Sequence, residues 1–284
     1  MSGRWSVVSR VAALLLIAVG CTTRVAAPPA KPAAVTAPAD SEIPNDGFGA
    51  SVRRGLALVM ATKESLPTHD GSALRCTSCH LEQGRRSNGS WIGSFARFPQ
   101  YRSRHGAVEL IEDRVNDCFA RSLNGKGVDP AGTDMRDIVA YLAFLSWRSP
   151  VGIPPAGPNA RLVRFASLTA DTAAGHQTFG TTCVRCHGPD GQGTPVAPPL
   201  WGPRSFNIGA GMARVRTAAS FVRDNMPFDQ PGTLTDQQAF DVAAFVVAQP
   251  RPDFPGKQFD WPHGDPPPDA AYPTLAAAKK TAGH

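Results

Sequence analysis

The pentapeptide Cys-x-x-Cys-His occurs twice, at Cys76-Thr77-Ser78-Cys79-His80 and at Cys183-Val184-Arg185-Cys186-His187. In this pattern two thiols three residues apart form thioethers with the vinyl groups of a haem, and the following imidazole is held within reach of its iron. One copy alone could be half of a zinc site or a redox dithiol. Two copies, one in each half of a 284-residue chain, point to two covalent haem c groups. Cys76, Cys79 and His80 would hold the first, and Cys183, Cys186 and His187 the second.

Haem c is attached in an oxidising compartment, and the N-terminus agrees. Arg4 and Arg10 precede an apolar run from Val11 to Val19, too short to span a bilayer as a helix. This reads as a secretory signal over residues 1–20. Ala18-Val19-Gly20-Cys21 resembles a lipobox, so Cys21 is expected to carry a lipid and to anchor a periplasmic protein at the membrane. Ordinary cleavage after Val25-Ala26-Ala27 is the alternative. Of six cysteines, four belong to the haem motifs; Cys21 and Cys118 are left over.

The remaining organisation follows from periodicity and composition. Residues 21–44, rich in Ala and Pro, read as a tether. Val52, Leu56, Val59 and Met60 have helical spacing, and Ala170 to Thr182 reads as a helix running into Cys183. Each half ends in an apolar helix, one with Ile138, Tyr141, Leu142 and Leu145, the other with Phe240, Ala244, Phe245 and Val247. Thr235 with Gln238 is a capping-box pattern for the second. The expected fold is all-α: two tandem cytochrome c domains, each binding one covalent haem c. They span 45–149 and 166–252, with a linker at 150–165 and a Pro-rich tail at 253–284.

The distal ligand decides what each haem does. Met226 lies 39 residues after His187, and a thioether there raises the potential of an electron carrier. At the matching position of the first half, 38 residues after His80, stands Cys118. A thiolate ligand lowers the potential, which suits sulfur chemistry better than simple electron carriage. Met135, His105 or a merely buried thiol are the alternatives. Around the first motif, residues 75–126 carry nine basic and five acidic side chains, including Arg104 and Arg114 before Cys118 and Ser122 one turn beyond it. Guanidinium forks bind tetrahedral oxyanions, so the field favours anionic substrates or an acidic partner over nucleic acid.

Longer strings carry a family resemblance. Tyr101-Arg102-Ser103-Arg104, Arg114 through Gly125, Pro198-Pro199-Leu200-Trp201-Gly202, Ser205 through Met212 and Asn225-Met226-Pro227 resemble the dihaem thiosulfate dehydrogenases from about Phe48 to Pro252. The resemblance implies coupling of two thiosulfate ions to tetrathionate at a His80/Cys118 haem, with Cys118, Arg104, Arg114 and Ser122 as the catalytic set. It implies a His187/Met226 haem that passes electrons outward; the expected acceptor, which the resemblance does not name, is a small protein such as a cytochrome c or a blue-copper protein. Some members place a lysine beside that methionine; here the neighbour is Asn225. The rival readings are a non-catalytic dihaem electron carrier, a sulfur-oxidation cytochrome that loads thiosulfate onto a carrier protein, and the same reaction run toward thiosulfate.

Overall fold

A computed structural model describes residues 35–152 and 164–282. The proposed signal, Cys21 and most of the expected linker lie outside the described residues. The described residues form one compact unit. Among the described residues no helix is long and apolar enough to cross a membrane.

The first half is built on α1 (Gly47–Met60) and α5 (Thr133–Leu145). Asp46 caps α1 by accepting the Gly49 N–H at 2.9 Å. Val52 and Val59 of α1 and Met135, Ile138, Tyr141 and Leu145 of α5 are buried in one cluster. The helices cross at Gly55, where a Cβ would lie 1.9 Å from the Asp137 carbonyl oxygen. Asp137 in turn takes the Arg54 guanidinium at 2.7 and 2.9 Å and the Ser51 hydroxyl.

The second half repeats this construction. Helices α6 (Thr172–Thr178) and α9 (Asp236–Ala248) cross at Gly175, where a Cβ would lie 2.1 Å from the Asp241 carbonyl oxygen. Asp241 accepts the Asp171 N–H at 2.8 Å and the Gln237 amide at 2.7 Å. The Thr235–Gln238 capping box is present in both directions. The helix expected from Ala170 to Thr182 is interrupted: α6 loosens into a π-turn at Phe179–Cys183 and resumes as α7 (Val184–His187).

Between motif and terminal helix each half has one more long helix: α4 (Ile111–Arg121) in the first and α8 (Val215–Asn225) in the second. The short helices α2 (Thr62–Ser65) and α3 (Leu81–Gly84) flank the first motif. A two-stranded antiparallel ribbon, β1 (Gln100–Arg102) with β2 (Ala107–Glu109), is a small departure from an all-α fold.

Two segments differ from expectation. Residues 35–43 are docked rather than trailing: Ala37 and Ile43 pack on the first core, and Asp40 pairs with Arg85. The Pro-rich tail is mostly irregular but folded back on the protein, burying Asp260, Trp261 and Tyr272 before α10 (Leu275–Ala282). Its composition lacks helical periodicity, and the tail is held by side-chain contacts instead.

The halves share a seam. Phe206, Ala210 and Ala213 complete the first half's core. Asn207 donates to the Ala120 carbonyl at 2.8 Å and to Asn124 at 3.0 Å, gripping the end of α4. The buried Asn88 amide donates to the Ser220 carbonyl at 2.6 Å and to Asp224 at 2.7 Å, both on α8.

Candidate active site

Both motif histidines are prepared as neutral ligands. His80 Nδ1 donates to the Gly89 carbonyl at 2.5 Å and His187 Nδ1 to the Pro198 carbonyl at 2.9 Å. Each bond fixes the tautomer that leaves Nε2 free for a metal. Burial pushes the His80 imidazole down to about 4 and lowers His187 as well. Trp91 stacks on His80 with centroids 4.5 Å apart.

The residues fit haem c and not zinc. Among the described residues no group of three His, Cys, Asp or Glu converges to hold a metal ion. The four motif thiols are unpaired, as thioether formation requires. Asn225 is fully buried with neither amide atom hydrogen-bonded within the chain. Such an amide costs about 1–3 kcal/mol unless a neighbouring group satisfies it. When bound, haem supplies redox-active iron, which these side chains alone do not.

Cys118 sits on α4 beside the first motif. Burial pushes the Cys76 and Cys79 thiols up to about 12, and Cys118 is near enough to add to both shifts. Arg114, one turn earlier on α4, donates to Cys118 Sγ at 2.9 Å. The Cys118 charge is the largest influence raising Arg114. The alternatives to Cys118 are otherwise engaged. Met135 is fully buried in the α1–α5 core. His105 binds Glu109 through Nδ1 and meets Arg121 through Nε2 at 3.2 Å. Met226 caps α8 in extended conformation, immediately after the buried Asn225.

A cavity of about 490 Å³ opens beside α4. Its walls hold five arginines, Arg102, Arg104, Arg114, Arg121 and Arg214, against one carboxylate, Asp117, with Ser122 and Trp261 among the other lining residues. Helical spacing places Arg114, Cys118 and Ser122 on one face of α4. Arg104 comes from the ribbon's turn and donates to the Gly209 carbonyl at 2.5 Å. Burial alone would raise Asp117, but Arg114, Arg121 and Arg104 outweigh it and hold the carboxyl below its ordinary range. Arg121 is neutralised by Asp117 and by a two-pronged pair with Asp260 at 2.8 and 2.9 Å. Arg104 and Arg114 are less fully matched, at 3.6 Å from Asp260 and 3.4 Å from Asp117. The cavity therefore carries a positive field that favours anions.

Arg104, Arg114, Cys118 and Ser122, expected from the sequence, lie together around α4. Arg214 from the second half and Asp260 and Trp261 from the tail join them without a signal in the sequence. Arg121 and Asp117 stood inside the quoted string without an assigned role.

Comparison with known proteins shows what this chain is similar to. The family described as "SoxA/TsdA, cytochrome c domain" matches residues 65–151, and "Cytochrome C oxidase, cbb3-type, subunit III" matches residues 170–246. A thiosulfate dehydrogenase of Psychrobacter arcticus is 43% identical over 239 residues, covering 82% of this chain and 73% of its own. One from Allochromatium vinosum is 40% identical over 260 residues, covering 87% and 94%. The solved thiosulfate dehydrogenase TsdBA of Marichromatium purpuratum superposes with a TM-score of 0.69 at 32% identity over 78% of this chain. This chain spans half of that longer one. With two cytochrome c domains carrying two covalent haem c groups, the chain belongs to the thiosulfate dehydrogenase family.

Proposed function

We propose that this haem c thiosulfate oxidoreductase couples two thiosulfate ions to tetrathionate in the arginine cavity and sends the electrons out through its second half. The observation that carries the reading is Cys118: it lies beside the first haem motif, hydrogen-bonded to an arginine that walls the cavity. His80 and Cys118 would ligate the first iron, and His187 and Met226 the second. The two haems supply the one-electron sinks for the two electrons of one turnover.

The difficulty of the reaction is electrostatic. A pair of like unit charges 4 Å apart costs about 4 kcal/mol at an effective dielectric near 20, and two dianions make four such pairs. Arg104 and Arg114 offset that repulsion with fixed donors. Ser122 adds a neutral hydroxyl at the same wall. In the proposed sequence the Cys118 thiolate bonds the outer sulfur of one thiosulfate and two electrons leave. The outer sulfur of the second thiosulfate then attacks that sulfur. Tetrathionate departs and the thiolate is restored, so two thiosulfates give one tetrathionate and two electrons with no net proton change. Arg114, already bonded to Sγ, stabilises the thiolate as leaving group.

The electron acceptor is proposed to be a small cytochrome c or blue-copper protein, and the protein is placed in the periplasm with a lipid on Cys21. Mass spectrometry of the mature N-terminus tests the lipid. For the reaction, oxidised protein is mixed with thiosulfate and ferricyanide and tetrathionate is quantified. Rapid tetrathionate formation, abolished in Cys118→Gly protein that retains both haems, is the expected result. Full activity in that variant would sink the role of Cys118. No tetrathionate from the wild-type protein would favour an electron carrier or a partner-dependent sulfur-loading enzyme.

A further inference from the structure

The tail residues Asp260 and Trp261 converge on Arg104. Trp261 places its ring 4.8 Å from the Arg104 guanidinium, and its backbone N–H donates to the Arg104 carbonyl at 2.7 Å. Asp260 stands 3.6 Å from Arg104 Nη1, while Gly209 accepts from the same nitrogen. The strap is itself braced. Asp260 is gripped by both Arg121 nitrogens and by the Tyr272 hydroxyl, and Phe254 lies under the Arg121 guanidinium at 4.1 Å.

Trp261 is held in a conformation that a bulky residue rarely adopts, φ +53°. It is nevertheless 3% exposed and forms part of the cavity wall. Strain of this kind persists where the surroundings over-determine it, and it gathers at functional sites. Asp260 leans toward Arg121, at 2.8 Å against 3.6 Å for Arg104. Arg104 is thereby oriented without being fully neutralised. An arginine fixed before its anion arrives loses less freedom on binding than one that must be ordered each time.

We infer that the C-terminal strap positions Arg104 for anion capture, with Trp261 as the positioning residue and Asp260 as its anchor. The inference rests on reading the arginine cavity as the thiosulfate site.

A double-mutant cycle on the haem-loaded protein tests it. Steady-state thiosulfate kinetics and equilibrium thiosulfate binding to the oxidised form are measured for Trp261→Gly, Arg104→Ala and the double variant. Glycine suits the positive φ, so Trp261→Gly removes the ring without adding backbone strain. The expected result is a rise in KM and in Kd on the order of tenfold for Trp261→Gly, with the larger part of the loss in KM rather than kcat. The double variant is then no weaker than Arg104→Ala alone, because the ring acts through that arginine. Trp261→Phe keeps an aromatic face and restores most of the affinity. If Trp261→Gly loses haem or helix, Trp261→Asn, which also tolerates positive φ and also lacks the ring, takes its place in the same cycle. Losses that multiply in the double variant, or an unchanged KM in Trp261→Gly beside a raised one in Arg104→Ala, overturn the positioning role and leave the anion site standing. An unchanged KM in Arg104→Ala overturns the site itself and this inference with it.

Discussion

The two halves share a crossing and differ in what surrounds the sulfur. In both, a helical glycine meets the carbonyl of an aspartate on the terminal helix, and that aspartate binds back to the glycine's own segment. In both, a long helix then presents a sulfur residue, Cys118 within α4 and Met226 at the cap of α8. Around Cys118 the arginines converge on a cavity. Near the second motif Arg185 pairs with Asp229 at 2.9 Å, and both are half exposed, so the charge is spent at the surface. On the proposed reading one scaffold serves two tasks, and the choice would be set by the distal sulfur and by whether nearby guanidinium groups are left unmatched.

Exchanging the sulfur tests that contrast most severely. Cys118→Met gives the first half the second half's donor, and turnover is expected to fall by roughly 10³-fold or more with folding intact. If Met226 is a ligand, Met226→His is expected to lower the second haem's potential and to slow electron transfer into it from the first haem while thiosulfate KM holds. Steady-state kinetics with redox titration distinguishes the two, and a KM rise in Met226→His would break the division of labour.

The shared crossing is tested by Gly55→Ala and Gly175→Ala. Each added methyl meets a carbonyl oxygen at about 2 Å. Each is expected to cost about 2 kcal/mol, a fall in Tm of roughly 4–8 °C. Clearly unequal losses in thermal melts would show that the two crossings are alike in shape alone.

Acid gives the smallest effect. The Asp117 carboxyl is held below its ordinary value by Arg114, Arg121 and Arg104, against burial. A depressed carboxylate contributes stability that is fully present above its unfolded pKa of about 3.9 and is lost as pH falls through the folded value. Amide exchange in α4 is therefore expected to accelerate below about pH 4, ahead of α8. Asp117→Asn flattens that dependence; the same steepness in the variant would assign it to other carboxylates.

Much of this was legible in the sequence. The haem motifs, Cys118, Met226, Arg104, Arg114 and Ser122 are local signals, and the terminal helices announce themselves by their apolar period. Trp261 was not legible because its partner, Arg104, lies far away in sequence and the tail carries no periodicity. Arg214 was missed for the same reason: it enters the cavity from the other half. The π-turn before Cys183 was hidden because its residues continue a helical pattern that backbone geometry interrupts.

The seam gives the chain another property. Phe206 and Ala210 finish the first half's core, Asn207 holds the end of α4, and Asn88 ties the loop supporting His80 to α8. The sequence shows two domains, yet each completes the other's packing at this seam. The first half expressed alone would present an unfinished apolar face, whereas an intact protein nicked between its halves would keep both fragments together.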